Sequence, residues 1–203
     1  MIETGIKLLG ISGSPRLQST DFVVREALSY ARDHHGADVD YFSVHRKSIA
    51  FCTHCDYCVK KKRGCYFKDD MLEVYPKMQW ADAWVLGSPS YQGQISGQLK
   101  AVLDRCRALA AEDPRVFYNK VGAGICVGGD RNGGQEPALH SMIDFYLINE
   151  MIPVGGGSFG ANLGGALWSK DKGKEGAKAD EEGLAAVRRV VDRLVEVAHA
   201  LHR

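Results

Sequence analysis

Apolar and polar positions follow two alternating patterns along the chain. Short, mostly apolar runs predict buried strands, and between them apolar residues recur every three or four positions, as in helices that cover a sheet. The predicted strands are 6–11, 39–44, 83–86, 121–127 and a fifth that begins at residue 153. The predicted helices are one that Asp21 caps and Gly36 ends, followed by 69–78, 95–109, 136–151 and 184–201.

Two local features qualify this pattern. Pro76 lies inside the second predicted helix, so we expect that helix to end or bend there. The stretch 162–183 is rich in Gly, Lys and Asp, which predicts a surface loop after the fifth strand.

The alternation of strands and helices predicts a parallel sheet covered on both faces. Five strands with interleaved helices fit an α/β, flavodoxin-like fold, a doubly wound sheet of strand order 2-1-3-4-5, as one domain over 1–203. The loops after the strands would then meet at one edge, where such folds bind their ligands. A cysteine-rich segment at about 50–68 interrupts the alternation, so we interpret it as an insertion after the second strand.

Composition and charge exclude several classes of partner. The 203 residues are 45% hydrophobic and 25% charged, with a formal net charge of +1, as in ordinary soluble domains. This balance predicts neither a nucleic-acid nor a membrane partner. No apolar stretch reaches the length of a membrane span, and the first residues lack the layout of a signal peptide. We therefore expect a cytoplasmic, reducing location.

Three loops after predicted strands have residues that suit one shared ligand. The first, 10–20, offers helix-start N–H groups, hydroxyls and a guanidinium for a terminal phosphate, although a plain tight turn uses similar residues. In the second, 87–93, the backbone is shaped by proline and glycine, and a tyrosine offers an aromatic face. The third, 128–136, has four glycines that favour close backbone contact. The candidate cofactor-binding residues are Ser12, Ser14, Arg16, Ser19, Thr20, Pro89, Ser90, Tyr91, Gln92, Gly93, Gly129, Asp130, Gly133, Gly134 and Gln135.

Four of the six cysteines lie within fourteen residues, which suggests a metal or redox centre. Thiolates are soft ligands, and four of them suit an iron–sulfur cluster or zinc. Spacings of two residues are typical of bacterial ferredoxin-type cluster loops, whereas zinc ribbons more often use two separate pairs. The pattern favours a 4Fe-4S cluster, with zinc and free or disulfide-bonded cysteines as alternatives. The candidate ligands are Cys52, Cys55, Cys58 and Cys65.

Other cysteines and cations have simpler expected roles. Cys106 and Cys126 stand alone and are expected to be small buried hydrophobes. His54 lies inside the cysteine motif, but with four thiols available it is not needed as a ligand. The basic run Lys60-Lys61-Lys62-Arg63 would stabilise a negative cluster or attract an acidic partner, or it is a solvated turn.

The sequence resembles the NADPH-dependent FMN reductase superfamily of flavodoxin-like proteins. The similarity rests on Gly13-Ser14-Pro15-Arg16, Ser88-Pro89-Ser90-Tyr91 and Gly133-Gly134-Gln135-Glu136, together with the segment 97–105. The compact cysteine motif further resembles that of the iron–sulfur flavoproteins, and it lies at the matching place in the chain. The resemblance covers about three quarters of the sequence.

This resemblance implies a function, two cofactors and partners. It implies FMN and a 4Fe-4S cluster, electron transfer between a donor such as ferredoxin and an acceptor, and a homodimer or homotetramer. From their positions in the second and third loops, we expect Tyr91, Asp130 and Arg131 near the flavin ring. Because the flavin carries the chemistry, we assign no catalytic acid or base. An NAD(P)H-dependent FMN or quinone reductase with a structural cysteine loop, and a flavin-binding sensor without turnover, are the alternatives.

Overall fold

A parallel sheet lies at the centre of this computed structural model, which describes residues 5–157 and 160–202. The described strands are β1 (Lys7–Ser12), β2 (Asp38–Ser43), β3 (Ala83–Pro89), β4 (Val121–Gly128), β5 (Ile152–Val154) and β6 (Gly165–Trp168). Five of them have the order β2-β1-β3-β4-β5, which confirms the predicted flavodoxin-like order 2-1-3-4-5. β6 pairs with β4 outside this order.

Helices cover both faces of this sheet. The described helices are α1 (Ser19–His35), α2 (Tyr57–Lys61), α3 (Met71–Trp80), α4 (Gly97–Arg105), α5 (Arg107–Glu112), α6 (Gln135–Ile148), α7 (Gly173–Lys178) and α8 (Glu181–Leu201). One apolar cluster joins the sheet to α1 and α8 through residues such as Val24, Val85 and Leu194. A second cluster, on the other face, includes Met71, Leu99 and Met142, and thus joins the sheet to α3, α4 and α6.

The expected surface loop at 162–183 is wrong, because this stretch contains β6 and α7. β5 pairs with the beginning of β4, from Val121↔Ile152 to Ala123↔Val154. β6 pairs with the end of the same strand, from Ile125↔Gly165 to Gly128↔Trp168. Two short strands therefore share the position beside β4 in the sheet. Residues 165–168 form a strand despite their loop-like surroundings, because they make backbone hydrogen bonds with β4.

Several helix boundaries also differ from the predictions. α1 begins at Ser19, so Asp21 is not its cap, and the Asp21 carboxylate instead accepts a hydrogen bond from the Tyr41 hydroxyl. α3 continues past Pro76 to Trp80. The helix predicted over 95–109 is divided at Cys106, whose N–H donates to the Leu103 carbonyl (3.1 Å) three residues back rather than four.

Two glycines let helices pack directly on the ends of β1 and β3. A Cβ added at Gly87 would lie 2.2 Å from Val24 Cγ2, and one at Gly13 would lie 2.5 Å from Leu99 Cβ. Any larger side chain would push α1 or α4 away from the edge where the loops meet. Among the described helices, none is long and apolar enough to cross a membrane.

Candidate functional site

The three predicted loops meet at the carboxyl edge of the sheet and enclose a pocket. The first loop contributes Ser14, Arg16, Ser19 and Thr20, the second contributes Pro89, Ser90 and Tyr91, and the third contributes Gly129. These eight predicted residues share the pocket with five that the sequence did not single out. Those five are Gln18, Val127, Gly128, Ser169 and Asp171.

The pocket lies at the N-terminus of α1, which no side chain among the described residues caps. Gln18 occupies the cap position without a side-chain hydrogen bond to the helix. α4 and α8 differ, because Ser96 Oγ accepts from the Leu99 N–H (3.0 Å) and Asp180 Oδ1 from the Gly183 N–H (3.3 Å). Helix-start N–H groups need an acceptor, and the dipole favours an anion there. The start of α1 is therefore suited to an anionic ligand.

Ser12, at the end of β1, is fully buried, and its Oγ has no hydrogen-bond partner among the described residues. Ser14 shapes the turn instead, because its Oγ donates to the Arg16 carbonyl (2.9 Å) and accepts from the Arg16 N–H (3.1 Å). The His45 ring, two residues after β2, lies with Nδ1 2.7 Å from the Pro15 carbonyl oxygen and supports the loop. The first loop is thus held by Ser14 and His45, and the Ser12 hydroxyl stays unused.

The second and third loops hold each other in place. The Ser90 N–H donates to the Val127 carbonyl (3.0 Å), and Ser90 Oγ donates to the Gly133 carbonyl. Gly134 has φ 85°, and a Cβ there would lie 2.5 Å from Gly93 Cα. Gln92 and Gly93 form a tight turn closed by reciprocal hydrogen bonds between Tyr91 and Gln94. Several predicted contact residues therefore serve the turns that shape the pocket.

Gln135 does not line the pocket but connects the third loop to β6 by hydrogen bonds. Its side chain is buried, and Nε2 donates to the carbonyls of Asp130 (2.7 Å) and Leu167 (3.0 Å). Arg131 points away and pairs with Asp180 (3.1 Å), with its guanidinium over the Trp168 ring. Ser12, Gln92, Gly93, Asp130, Gly133, Gly134 and Gln135 do not line the pocket.

Ser169 and Asp171 complete the pocket from the segment after β6. A Cβ added at Gly129 would lie 2.6 Å from Asp171 Oδ1, so this carboxylate lies directly over the third loop. Asp171 has φ 53°, a left-handed conformation that fits the tight turn following Trp168. The sequence signal for these two residues is the turn-forming composition of 162–183, which predicts a loop after the fifth strand.

The four predicted cysteine ligands lie between β2 and α3, and each is a free thiol. Cys58 is buried, Cys52 and Cys65 are half-buried, and Cys55 is exposed. In residues 5–157 and 160–202, no three metal-binding side chains converge on one point. The backbone is sharply turned around them, since His54, Asp56, Lys62 and Gly64 all have positive φ.

Two arginines at the junction of α4 and α5 attach this cysteine segment to the domain. Arg105 binds the Asp69 carboxylate through both Nη atoms (2.7 and 3.1 Å) and the Ala50 carbonyl (2.9 Å). Burial alone would raise the pKa of Asp69, but Arg105 and the N–H groups of Ala50 and Met71 lower it. Arg107 Nη2 binds Asp56 Oδ1 (2.6 Å).

The other two cysteines are structural, as predicted. Cys106 and Cys126 are fully buried, and burial raises the pKa of both thiols, to about 12 for Cys126. Such thiols stay protonated and unreactive at neutral pH.

The sheet order and the pocket together define a flavodoxin-like α/β protein. Residues 6–165 match the NADPH-dependent FMN reductase family. An iron-sulfur flavoprotein of Methanocaldococcus jannaschii is 60% identical over 192 residues, which cover 95% of this chain and 96% of its own. One of Archaeoglobus fulgidus is 50% identical over 190 residues, 94% and 96% of the two chains.

The fold is also that of solved flavin proteins. RosB, solved with a bound 8-demethyl-8-formylriboflavin-5'-phosphate intermediate, has a TM-score of 0.76 over 98% of this chain and 81% of its own. At 16% identity this likeness concerns the fold alone. The chain belongs to the NADPH-dependent FMN reductase family and, within it, to the iron–sulfur flavoproteins. It is therefore a flavin-dependent oxidoreductase.

Proposed function

We propose that the chain is an electron-transfer protein that binds FMN in the three-loop pocket and a 4Fe-4S cluster at the cysteine segment. Electrons would pass between a donor such as ferredoxin and an acceptor. The observation that carries this proposal is the presence on one chain of two chemically different sites: a pocket suited to an anion and a separate segment of four free thiols.

The pocket residues fit FMN. The open start of α1 and the Arg16 guanidinium suit its phosphate. Asp171 supplies acceptors for the hydroxyl groups of a ribityl chain, and Tyr91 presents an aromatic surface to a flat ring. When bound, FMN supplies the oxidation–reduction chemistry, and these side chains bind and orient it.

The donor set of the cysteine segment fits an iron–sulfur cluster. Four free thiols without a disulfide are the ligands such clusters use. The guanidinium groups of Arg105 and Arg107 bind the Ala50 carbonyl and the Asp56 carboxylate of this segment, so they would counter the negative charge of four thiolates. Left-handed turns in the backbone expose N–H groups, a feature of many anion and iron–sulfur sites.

The exposure and charge of one basic run support the proposal of an acidic electron donor. Lys60, Lys61, Lys62 and Arg63 are exposed beside the cysteines, so they are placed to attract an acidic electron donor. We also propose self-association, as a homodimer or homotetramer, which would bring the cysteine segment of one copy near the pocket of another.

The test is cofactor analysis of protein purified without oxygen. We expect about one FMN, four irons and four sulfides per chain, and we expect that a reduced ferredoxin-type protein will bleach the flavin absorbance. The matched control is Cys106→Ala, which removes a buried thiol outside the segment and should keep the iron, whereas Cys58→Ala should lose it. An iron-free, zinc-loaded protein would contradict the proposal.

NAD(P)H is the other candidate reductant, because the family match names NADPH. If NADPH reduced the flavin at the same rate in wild type and in Cys58→Ala, the chain would be an NAD(P)H-dependent FMN or quinone reductase with a structural cysteine loop. Flavin-dependent partner binding without turnover with any donor would instead indicate a sensor.

A further inference from the structure

The Arg105 side chain has one hydrogen-bond donor that the fold leaves unused. The side chain is 1% exposed, and its two Nη atoms bind Asp69 and the Ala50 carbonyl. Its Nε is buried and has no partner among the described residues. Buried N–H groups of charged side chains nearly always have an acceptor, so this donor indicates that an acceptor is missing from the surroundings.

Cys65 is the proposed ligand that lies on the Arg105 side of the cysteine segment. Phe67 and Asp69, two and four residues after Cys65, both contact the Arg105 guanidinium. Cys65 also packs against the apolar cluster that contains Val102 and Leu103 of α4. The Phe67 ring, 5.2 Å from Cζ, covers another side of the same guanidinium. The unused donor thus belongs to a group that is fixed beside one of the four proposed ligands.

Resting on the proposed function, we propose that Arg105 is a positioning residue of the cluster site, whose Nε–H donates a hydrogen bond to a sulfur atom at the Cys65 side of the bound cluster. The Asp69 pair fixes the guanidinium plane, so the donor direction does not depend on the cluster. A hydrogen bond to a cluster sulfur stabilises the more negative, reduced form and makes the reduction potential less negative.

The neighbouring Arg107 does not share these properties. Its side chain is about a third exposed, and it pairs with Asp56 at the surface. Water screens such a pair. Arg107 would therefore act on the cluster only as a nearby charge, and within the described chain it has no buried unpaired N–H to donate to a sulfur atom. The specific prediction is therefore confined to Arg105.

The direct test is pulsed electron paramagnetic resonance of the reduced holoprotein with its arginines labelled by nitrogen-15. We expect a weak nitrogen-15 coupling to the cluster that persists in the double variant Arg63→Lys/Arg107→Lys and disappears in Arg105→Lys. The coupling in the wild-type protein is measured without any substitution at Arg105. This measurement therefore tests the proposal even if Arg105→Lys folds poorly. Absence of the coupling in iron-loaded wild type would overturn the proposal.

The reduction potential supplies the second readout. Arg105→Lys keeps the charge but lacks the donor, and we expect at least a tenfold fall in the ratio of reduced to oxidised cluster at fixed solution potential, or about 59 mV. Tyr75→Phe is the matched control, because it removes only the hydrogen bond from Tyr75 to the Arg105 carbonyl (3.1 Å). Equal potentials in the two variants would refute the donor role.

Iron analysis separates the two proposals. If the wild-type protein bound flavin but no iron, the proposed cluster would be refuted, and the role of Arg105 would be refuted with it. A wild-type protein with four irons whose potential is unaffected by Arg105→Lys would refute the role of Arg105 alone.

Discussion

Asp69 joins three parts of the chain at a single carboxylate. It accepts hydrogen bonds from Arg105, from the Ala50 N–H (2.9 Å) and from the Met71 N–H (3.2 Å). The strand-to-helix segment that contains the cysteines is therefore closed at its base by one buried ion pair. A buried pair of this kind adds little over a well-packed apolar substitute, but the loss of one partner is costly.

Substitution of this carboxylate should reveal that cost and its pH dependence. Asp69→Asn should lower the free energy of unfolding by about 3 kcal/mol at pH 7, because Arg105 stays buried without its counter-charge. The pKa of Asp69 is depressed in the folded protein, so its contribution is present above the ordinary pKa near 3.8 and is lost as pH falls through the folded value.

Urea unfolding of the wild type and the variant at pH 7 and pH 3 measures both effects. The gap between the two proteins should shrink at pH 3. Asp33→Asn, which breaks an exposed pair with Arg32, is the control and should cost less than about 1 kcal/mol. A gap that widened in acid would contradict the assignment.

Arg16 should discriminate between flavins by their phosphate. Arg16→Gln removes a charge-assisted donor from the pocket, and we expect the Kd for FMN to rise roughly tenfold, or about 1.4 kcal/mol. Riboflavin, which has no phosphate, should bind both proteins equally. Flavin fluorescence titration measures both constants, and an equal loss for the two ligands would place Arg16 at another part of the flavin.

At the scale of elements, the third loop depends on a glutamine that bridges it to β6. Gln135→Leu removes the donors to the buried Leu167 carbonyl and the part-buried Asp130 carbonyl, and should cost about 2 kcal/mol of stability. The Kd for FMN should also rise, because Gly129 depends on this bridge for its position. Exposed Gln79→Leu on α3 is the matched control; if the two variants had equal thermal stability, Gln135 would not be the bridge.

The sequence predicted helices and strands well where the apolar pattern was strong. It predicted them poorly where contacts between distant segments determine the structure. The apolar runs at 83–86 and 121–127 identified β3 and β4, and the loops after them were correctly expected to meet. β6 was not predicted, because its four residues, two of them small, show no apolar–polar alternation. Its pairing with β4 depends on backbone groups that are distant in the sequence. Ser169 and Asp171 escaped with it.

A similar limit applies to the side chains of the site. Residue type indicated phosphate chemistry at Ser14 and Arg16, but it did not distinguish Gln135, which supports the loop, from residues that line the pocket. The pattern of four cysteines predicted ligands, yet the anchoring role of Arg105 needed the fold. Asp69 and Arg105 are far apart in sequence, and no local spacing connects them.

At the scale of the whole molecule, the two faces of the sheet are covered by different segments. The cysteine segment packs with α3 and α4 through the cluster that contains Cys58, whereas α1 and α8 cover the opposite face. With a net charge near zero, a local basic run has a stronger directional effect than the overall field.

Charge reversal in this run should slow reduction by an acidic protein donor. We expect Lys60→Glu/Lys62→Glu to lower the second-order rate about tenfold at low salt and to remove most of its salt dependence. Arg188→Glu/Arg193→Glu changes the net charge equally on α8, at the opposite face, and should have little effect. Stopped-flow reduction measures both rates; similar slowing in the two variants would contradict local steering.

The uncapped start of α1 has a consequence for the life of the protein in a cell. The first N–H groups of α1 have no side-chain cap among the described residues, so this helix is less stable when no ligand accepts their hydrogen bonds. A ligand that binds only the folded protein also adds its binding free energy to the stability of the fold. Newly made chains without flavin would open more often and be degraded sooner. The supply of vitamin B2 would thus set how many copies of this enzyme survive, even when its gene is expressed at a constant level.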